Sequence, residues 1–109
     1  MQGYQVTFFT QQDRKHGHES LAEWIMHEAK KLGIRGATLT ASAQGLGHSG
    51  RMHSSHFFDL ADQPLEVTMA LTQEECDMLF ACLVEEKVHV FYVKSQIEFG
   101  TLGSAMEDR

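Results

Sequence analysis

The sequence contains little of what marks secreted, fibrous or membrane-spanning proteins. One proline and nine glycines among 109 residues exclude a collagen-like or low-complexity chain. No apolar run approaches the roughly 18 residues of a membrane span. Residues 1–5 lack the basic and apolar pattern of a signal peptide. These features predict a cytoplasmic protein.

Cysteine and positive charge are also scarce. Cys76 and Cys82 lie within one predicted helix at a spacing that matches neither a zinc site nor a redox motif, so we interpret both as reduced packing residues. Nine Lys and Arg residues stand against 15 Asp and Glu residues, which gives a formal net charge of −6. Since neutralising phosphates requires clustered cations, this composition predicts no nucleic-acid partner.

The length and apolar content suit one globular domain. Hydrophobic residues make up 42% of the 109 residues, enough for a single core without disulfides or metals. We predict that this domain spans residues 1–103. Gly100 and Gly103 interrupt the pattern near its end, and residues 104–109 are expected to form a frayed tail.

Hydrophobic periodicity predicts four strands and two helices. Period-two alternation or β-prone composition marks strands over residues 4–10, 36–43, 64–71 and 87–93. Helical spacing marks residues 19–32, followed by a capping Gly33, and residues 72–85. The second helix begins with a capping box from Thr72 to Glu75. Its apolar stripe is predicted to contain Met78, Leu79, Cys82 and Leu83.

The order strand, helix, strand, strand, helix, strand predicts an α+β fold. It is typical of a ferredoxin-like βαββαβ sandwich, with a four-stranded antiparallel sheet and two helices on one face. We expect the other sheet face to be apolar too, and assembly to cover it. The residues behind this expectation are Phe8, Phe57, Phe58, Val90 and Phe91.

A loop over residues 44–56, between the second and third strands, combines three glycines, three histidines and Arg51. Glycine N–H groups can turn toward an anion because no Cβ blocks close approach. Arg51 can add a bidentate contact to a phosphate or a carboxylate. The same composition also fits a flexible hairpin tip. The Gly-x-Gly does not open a helix, so it is neither a Rossmann fingerprint nor a P-loop.

The stretch from Asp13 to Leu71 resembles a known family. Its segments GIRGATL, GLGHSGRMHSSHFFDL and PLEVTMAL look like the PII-like superfamily, closest to the branch named domain of unknown function 190. The resemblance implies a homotrimer with small-molecule sites in the clefts between subunits. It implies an adenine-nucleotide effector, such as ATP, ADP, AMP or a cyclic nucleotide. It also implies signalling through the loop 44–56 to a partner such as a membrane transporter for inorganic carbon.

The resemblance also implies which residues bind the ligand. The Gly-Phe-Gly-Arg segment of PII proteins falls on residues 45–48, with His48 in place of the arginine. The Gly-Asp-Gly-Lys segment is absent, and Val84-Glu85-Glu86-Lys87 keeps only its lysine. We therefore expect the protein to bind nucleotides weakly, or to prefer nucleotides that carry fewer phosphates. The predicted ligand-binding residues are Gly45, Leu46, Gly47, His48, Ser49, Arg51, His53 and Lys87.

Two other functions remain open. The chain has seven histidines, including His48, His53 and His56 in the loop, and imidazole binds Zn, Cu and Ni. A divalent-metal-binding trimer resembling the CutA proteins is therefore the alternative, although we predict no specific metal site because none of these histidines is paired with a cysteine at finger spacing. A purely structural interaction module is the third possibility.

We predict no enzymatic activity and no cofactor. Ser49, Ser54 and Ser55 have histidines nearby in sequence. A nucleophile also needs an oriented base and an oxyanion hole, and a glycine-rich loop preorganises neither. The sequence therefore offers no catalytic residues.

Overall fold

The computed structural model describes residues 1–41, 44–46, 52–54 and 63–103. In chain order the elements are β1 (Gln2–Gln11), β2 (Lys15–His16), β3 (Glu19–Ser20), α1 (Leu21–Lys31), β4 (Thr38–Ala41), β5 (Gln44–Leu46), β6 (Met52–Ser54), β7 (Pro64–Leu71), α2 (Gln73–Glu85) and β8 (Phe91–Glu98). Within these ranges, neither helix is long and apolar enough to cross a membrane. The predicted tail, residues 104–109, lies outside the described residues, so the domain boundary stays a prediction.

The predicted ferredoxin-like sandwich is confirmed. A four-stranded sheet has the order β4-β7-β1-β8, and each neighbouring pair is antiparallel. Both helices pack on the same sheet face and share one core with it. That core consists of Val6, Phe8, Leu21, Ala22, Ile25, Ala29, Ile34, Leu65, Val67, Met69, Leu71, Cys76, Leu79 and Leu83.

Alternation in β7 explains which of its residues enter the core. Every second residue from Leu65 to Leu71 is buried, as the period-two pattern predicts. In α2 the prediction was wrong at Met78, whose side chain is 47% exposed. The buried stripe runs instead through Cys76, Leu79 and Leu83, which follow the i, i+3, i+7 spacing of one helix face.

Both helices begin at side-chain caps. The Ser20 Oγ accepts a hydrogen bond from the Glu23 N–H at 3.1 Å. At α2 the predicted capping box is confirmed. Thr72 Oγ1 accepts from the Glu75 N–H at 3.2 Å, and Glu75 Oε1 accepts from the Thr72 N–H at 3.0 Å. These bonds satisfy donors that the first helical turn leaves unpaired.

Two predicted strands need correction. The second was expected over residues 36–43 and partly buried, but β4 begins at Thr38, and its four residues Thr38–Ala41 are all exposed. Residues 42–43 lie outside the described residues. The four residues are exposed because β4 is an edge strand, paired with β7 alone in the main sheet. The last strand was expected to start at Lys87, but residues 87–90 follow the end of α2 without strand pairing, and β8 begins at Phe91.

The sheet face opposite the helices is only partly apolar. Phe9 and Phe91 pair across β1 and β8 with ring centroids 5.7 Å apart, and Phe91 is 69% exposed. Toward the middle of this face, the hydroxyls of Thr7 and Thr68 lie 3.0 Å apart. The expectation for Phe8 was wrong, since it is buried beneath the helices. Val90 is half-buried against the core, and Phe57 and Phe58 lie outside the described residues.

Candidate functional site

Three predicted ligand-binding residues lie on a short antiparallel ribbon within the predicted loop. Gly45 pairs with His53 and Leu46 pairs with Met52 where β5 meets β6. The ribbon thus places the first glycine of the Gly-x-Gly opposite a histidine. The other loop candidates, Gly47, His48, Ser49 and Arg51, lie outside the described residues, and their roles stay predictions.

Lys87 ends α2 in a backbone conformation that normally favours glycine. Its φ angle is +59°. The Lys87 N–H donates to the Val84 carbonyl and the Val88 N–H to the Leu83 carbonyl, both at 3.0 Å, which is the Schellman pattern. Left-handed backbone costs a residue with a Cβ about 1–2 kcal/mol. Glycine is the usual residue at this position, so the Schellman bonds hold Lys87 there against its backbone preference.

The end of α1 provides an internal comparison. Gly33, with φ +83°, occupies the position that corresponds to Lys87. The Gly33 N–H donates to the Lys30 carbonyl and the Ile34 N–H to the Ala29 carbonyl, again at 3.0 Å. The predicted glycine cap of α1 is therefore confirmed. The two helices end in the same motif, and only α2 places a side chain on the left-handed residue.

This comparison gives a prediction for stability. Lys87→Gly is expected to raise the free energy of unfolding by about 1 kcal/mol, because it removes the left-handed penalty. Gly33→Lys is the matched control, and it should lower the same quantity by about 1–2 kcal/mol, since a Cβ there meets nothing within 4 Å and adds only backbone strain. Urea unfolding measures both. A loss of stability in Lys87→Gly would contradict the assignment of strain to Lys87.

Within one chain, Lys87 and the ribbon belong to opposite edges of the sheet. The ribbon follows β4, whereas Lys87 leads into β8, and β7 and β1 lie between these edge strands. Three strand spacings amount to roughly 14 Å. The structure therefore brings Gly45, Leu46 and His53 together and leaves Lys87 beyond β1.

A cavity that sequence reasoning missed opens at the other end of the sheet. Its volume is about 310 Å³, and it is lined by Arg35, Gly36, Ala70, Phe99, Gly100 and Thr101. Phe99 is anchored by its backbone, because its N–H donates to the Met1 carbonyl at 2.8 Å and its carbonyl accepts from the Met1 ammonium at 2.6 Å. Two short sequence segments could have pointed to this cavity. They are Arg35-Gly36 just before β4 and Gly100-Thr101 just after β8.

The cavity combines three kinds of group. A guanidinium can bind phosphate or carboxylate through two parallel hydrogen bonds. An aromatic ring can stack on a nucleobase. Glycine allows a ligand close to the backbone. A Cβ at Gly36 would make only an ordinary contact, 3.9 Å from the Ala70 nitrogen, so the fold itself does not require glycine there. Together these groups suit a ligand with an anionic end and a flat end.

Comparison with known proteins settles the family. Residues 3–97 match the DUF190 family, described as "Uncharacterized ACR". The chain belongs to DUF190. No curated protein is similar enough in sequence to count as a match.

PII-like proteins are among the solved structures similar to this DUF190 protein. A PII-like signalling protein from Thermus thermophilus superposes with a TM-score of 0.64 at 19% identity, covering 89% of this chain and 88% of that one. CPII from Thiomonas intermedia, a nitrogen regulatory PII-like protein bound to ADP, AMP and bicarbonate, gives 0.59 at 19% identity, with 89% of each chain covered. Its apo form gives 0.53 at 15% identity, over 89% and 92%. At these identities the likeness shows the PII-like fold.

The two cysteines of this DUF190 protein are free and poorly reactive. Burial raises the pKa of both thiols. Cys82 also donates to Glu28 Oε1 at 3.4 Å, which raises its pKa further. Because thiolate is the nucleophilic and metal-binding form, neither cysteine is primed for chemistry.

The pKa of Glu28 is lowered, chiefly by the hydrogen bond from Lys31 at 2.9 Å, and burial opposes this shift. In the part of the chain that the structure describes, no group of three or more His, Cys, Asp or Glu residues could hold a metal ion. His48 and His56 lie outside that part.

Proposed function

We propose that this protein is a cytoplasmic PII-like sensor, a homotrimer that binds an adenine nucleotide or a related small anion in the clefts between its subunits. The observation that carries the proposal is the position of two half-sites at opposite ends of one sheet. The ribbon and Lys87 belong to the end where β1 finishes, near Phe9 and Gln11. The cavity with Arg35 and Phe99 belongs to the end where β1 starts.

The separation of the half-sites favours a shared site. A ten-residue strand such as β1 spans roughly 30 Å, which is longer than a mononucleotide. One ligand therefore reaches both half-sites only when they come from different subunits. If the end of one subunit that carries the ribbon contacts the end of the next subunit that carries the cavity, the contact is head-to-tail. Such contacts close into a ring when the rotation between neighbouring subunits is an exact fraction of a full turn. Three copies would then hold three equivalent clefts.

The chemistry of each half-site fits an adenine nucleotide. We assign Arg35 to a phosphate, the Phe99 ring to the adenine face, and Gly45 with Gly47 and Arg51 of the loop to the remaining phosphate oxygens. We assign Lys87 to the same phosphates, which its long side chain would approach from the opposite edge of the sheet. CPII supports this choice of ligand, because its structure contains ADP, AMP and bicarbonate. Bicarbonate is a small planar anion that an arginine fork can bind in the same way as a carboxylate.

The signalling step follows from the loop 44–56. Ligand contacts that form only when this loop is ordered shift its population by their difference in free energy. A partner protein that binds only one conformation of the loop then responds to the ligand concentration. We propose a membrane transporter, such as one for inorganic carbon, as that partner, and a binding role for this protein without catalysis.

Light scattering and calorimetry test the proposal directly. We expect a particle of three times the 12.3 kDa chain mass. We also expect ADP, AMP or ATP to bind and to raise the melting temperature, since a ligand specific for the folded state stabilises it. A monomer, or the absence of binding by all three nucleotides, would overturn the proposal. Zn²⁺ or Cu²⁺ binding in place of nucleotide binding would favour the metal-handling alternative.

Arg35→Ala is expected to weaken ADP binding by about 1.5–3 kcal/mol, the range for hydrogen bonds to charged groups. Arg35→Lys should recover only part of the loss, because an ammonium lacks the planar two-donor fork. Titration calorimetry measures the affinities, with Lys30→Ala as the control for removing an exposed cation from the same end of α1. An Arg35→Ala affinity equal to that of Lys30→Ala would remove Arg35 from the site.

Mixing two variants tests whether the site is shared. On our assignment of Arg51 and Arg35 to the ligand, Arg51→Ala disables the half-site of the loop 44–56, and Arg35→Ala disables the cavity half-site. In trimers assembled from an equal mixture, about a quarter of the clefts combine two intact halves from different subunits. We expect that fraction of clefts to regain full affinity. No recovery in the mixture would show that the two arginines do not meet across a cleft.

A further inference from the structure

A small hairpin is fixed to the start of α1. β2 and β3 pair Lys15 with Ser20 and His16 with Glu19, which leaves a two-residue turn. Gly17 occupies the first turn position with φ +67°, as a type II′ turn requires. The Leu21 N–H donates to the Arg14 carbonyl at 2.8 Å. The hairpin is thus anchored to the helix and carries its side chains on a defined frame.

Two side chains, from Arg14 just before this hairpin and from His16 within it, reach the segment that follows α2. The Arg14 guanidinium donates through Nη2 to the carbonyl of His89. His16 Nε2 donates to Glu86 Oε1 at 3.1 Å. Glu86 and His89 flank Lys87 and Val88, so the two contacts hold the strained turn on both sides.

Trp24 orients His16 for its contact. The imidazole lies on the indole with ring centroids 4.0 Å apart and planes inclined by 36°. Trp24 itself packs against the core. Stacking restricts rotation of the imidazole ring, and the His16 side chain is only 26% exposed. The ring therefore meets Glu86 from a fixed position.

The brace formed by Arg14 and His16 accounts for how Lys87 keeps its conformation. A left-handed residue with a Cβ persists only where its surroundings impose that geometry. The Schellman bonds impose it from within α2, and the hairpin contacts impose it from outside. We propose that Arg14 and His16 are positioning residues, which hold residues 86–90 so that Lys87 presents its ammonium to the anionic ligand. This rests on the proposed function, because it takes Lys87 as a ligand contact.

Calorimetry with ADP tests the brace, using the intact protein. His16→Ala and Arg14→Ala are each expected to weaken binding about fivefold, the factor that corresponds to about 1 kcal/mol. His16→Gln should retain most of the affinity, since its amide can still donate to Glu86. His18→Ala and Lys15→Ala, on the same hairpin, are matched controls and should bind as the unmodified protein does. If His16→Ala folds poorly, Glu86→Ala serves in its place, because it removes the same hydrogen bond at the more exposed partner.

A double-mutant cycle separates positioning from general loosening. In a Lys87→Ala background, His16→Ala should have no further effect on ADP affinity, because the residue that it positions is gone. Additive losses in His16→Ala and Lys87→Ala would overturn the proposal. Equal losses in the His18→Ala control would overturn it too.

Amide hydrogen exchange provides a readout that does not depend on the ligand. Faster exchange at residues 87–90 in His16→Ala and Arg14→Ala, with an unchanged melting temperature, supports the brace. Unchanged exchange there overturns it. If the unmodified protein binds no nucleotide, the proposed function fails, and the brace is then decided by exchange alone.

Discussion

Phe8→Ala is expected to lower the free energy of unfolding by about 3–5 kcal/mol, the range for removing a large buried aromatic ring. Phe8 is fully buried in β1, with ring centroids 5.8 Å from Phe80 on α2 and 6.5 Å from Tyr92 on β8. The substitution therefore leaves a cavity where helix and sheet meet. Because domains of this size are stable by about 5–15 kcal/mol, this loss is a large share of the total stability.

Urea unfolding checks this expectation for Phe8. Val84→Ala, at a side chain that is 76% exposed on α2, is the control and should change stability little. A loss in Phe8→Ala no larger than that of the control would mean that the core repacks around the missing ring.

Gly3→Ala is expected to cost about 3 kcal/mol, at the upper end for overpacking. A Cβ at Gly3 would lie 2.0 Å from the Leu71 carbonyl oxygen and 2.8 Å from Phe99 Cε1. Leu71 belongs to β7, so the sheet itself must shift to admit one methyl group. Since Phe99 lines the cavity, we also expect the same substitution to weaken the ADP binding that we propose there.

Gly100, which follows Phe99 in the chain, provides the matched control for Gly3. Gly100 also lines the cavity, but a Cβ there meets nothing within 4 Å, so Gly100→Ala should fold with nearly unchanged stability. Thermal and urea unfolding of both variants measure the difference. Equal stability of the two would contradict the close approach of β1 to β7 at this point.

Features set by neighbouring residues could be predicted from the sequence. The capping box from Thr72 to Glu75, the glycine cap at Gly33 and the alternation in β7 all depend on chemistry within a few residues, and the structure confirms each. The order of these elements was then enough to predict the ferredoxin-like sheet, because few topologies fit that order.

Features that depend on distant residues could not be predicted in this way. Val88 and Val90 alternate as a strand would, but the end of α2 and the hairpin contacts hold them in an irregular segment. Phe8 and Phe9 are both apolar, and only the position of the helices decides which one is buried. Arg35 and Phe99 meet in a cavity although most of the chain separates them, and no local pattern indicates that pairing.

The position of β1 in the sheet determines when the fold can form. β1 is made before the other described strands, yet both of its neighbours, β7 and β8, come from the second half of the domain. During synthesis, β1 therefore waits with both edges unpaired while most of the chain is made. Such non-local pairing slows folding, and unpaired apolar edges favour association between nascent chains. Because α1 is the first helix after β1 in the chain, packing of α1 on Val6 and Phe8 would be the first contact to shield the apolar face of β1 from other chains.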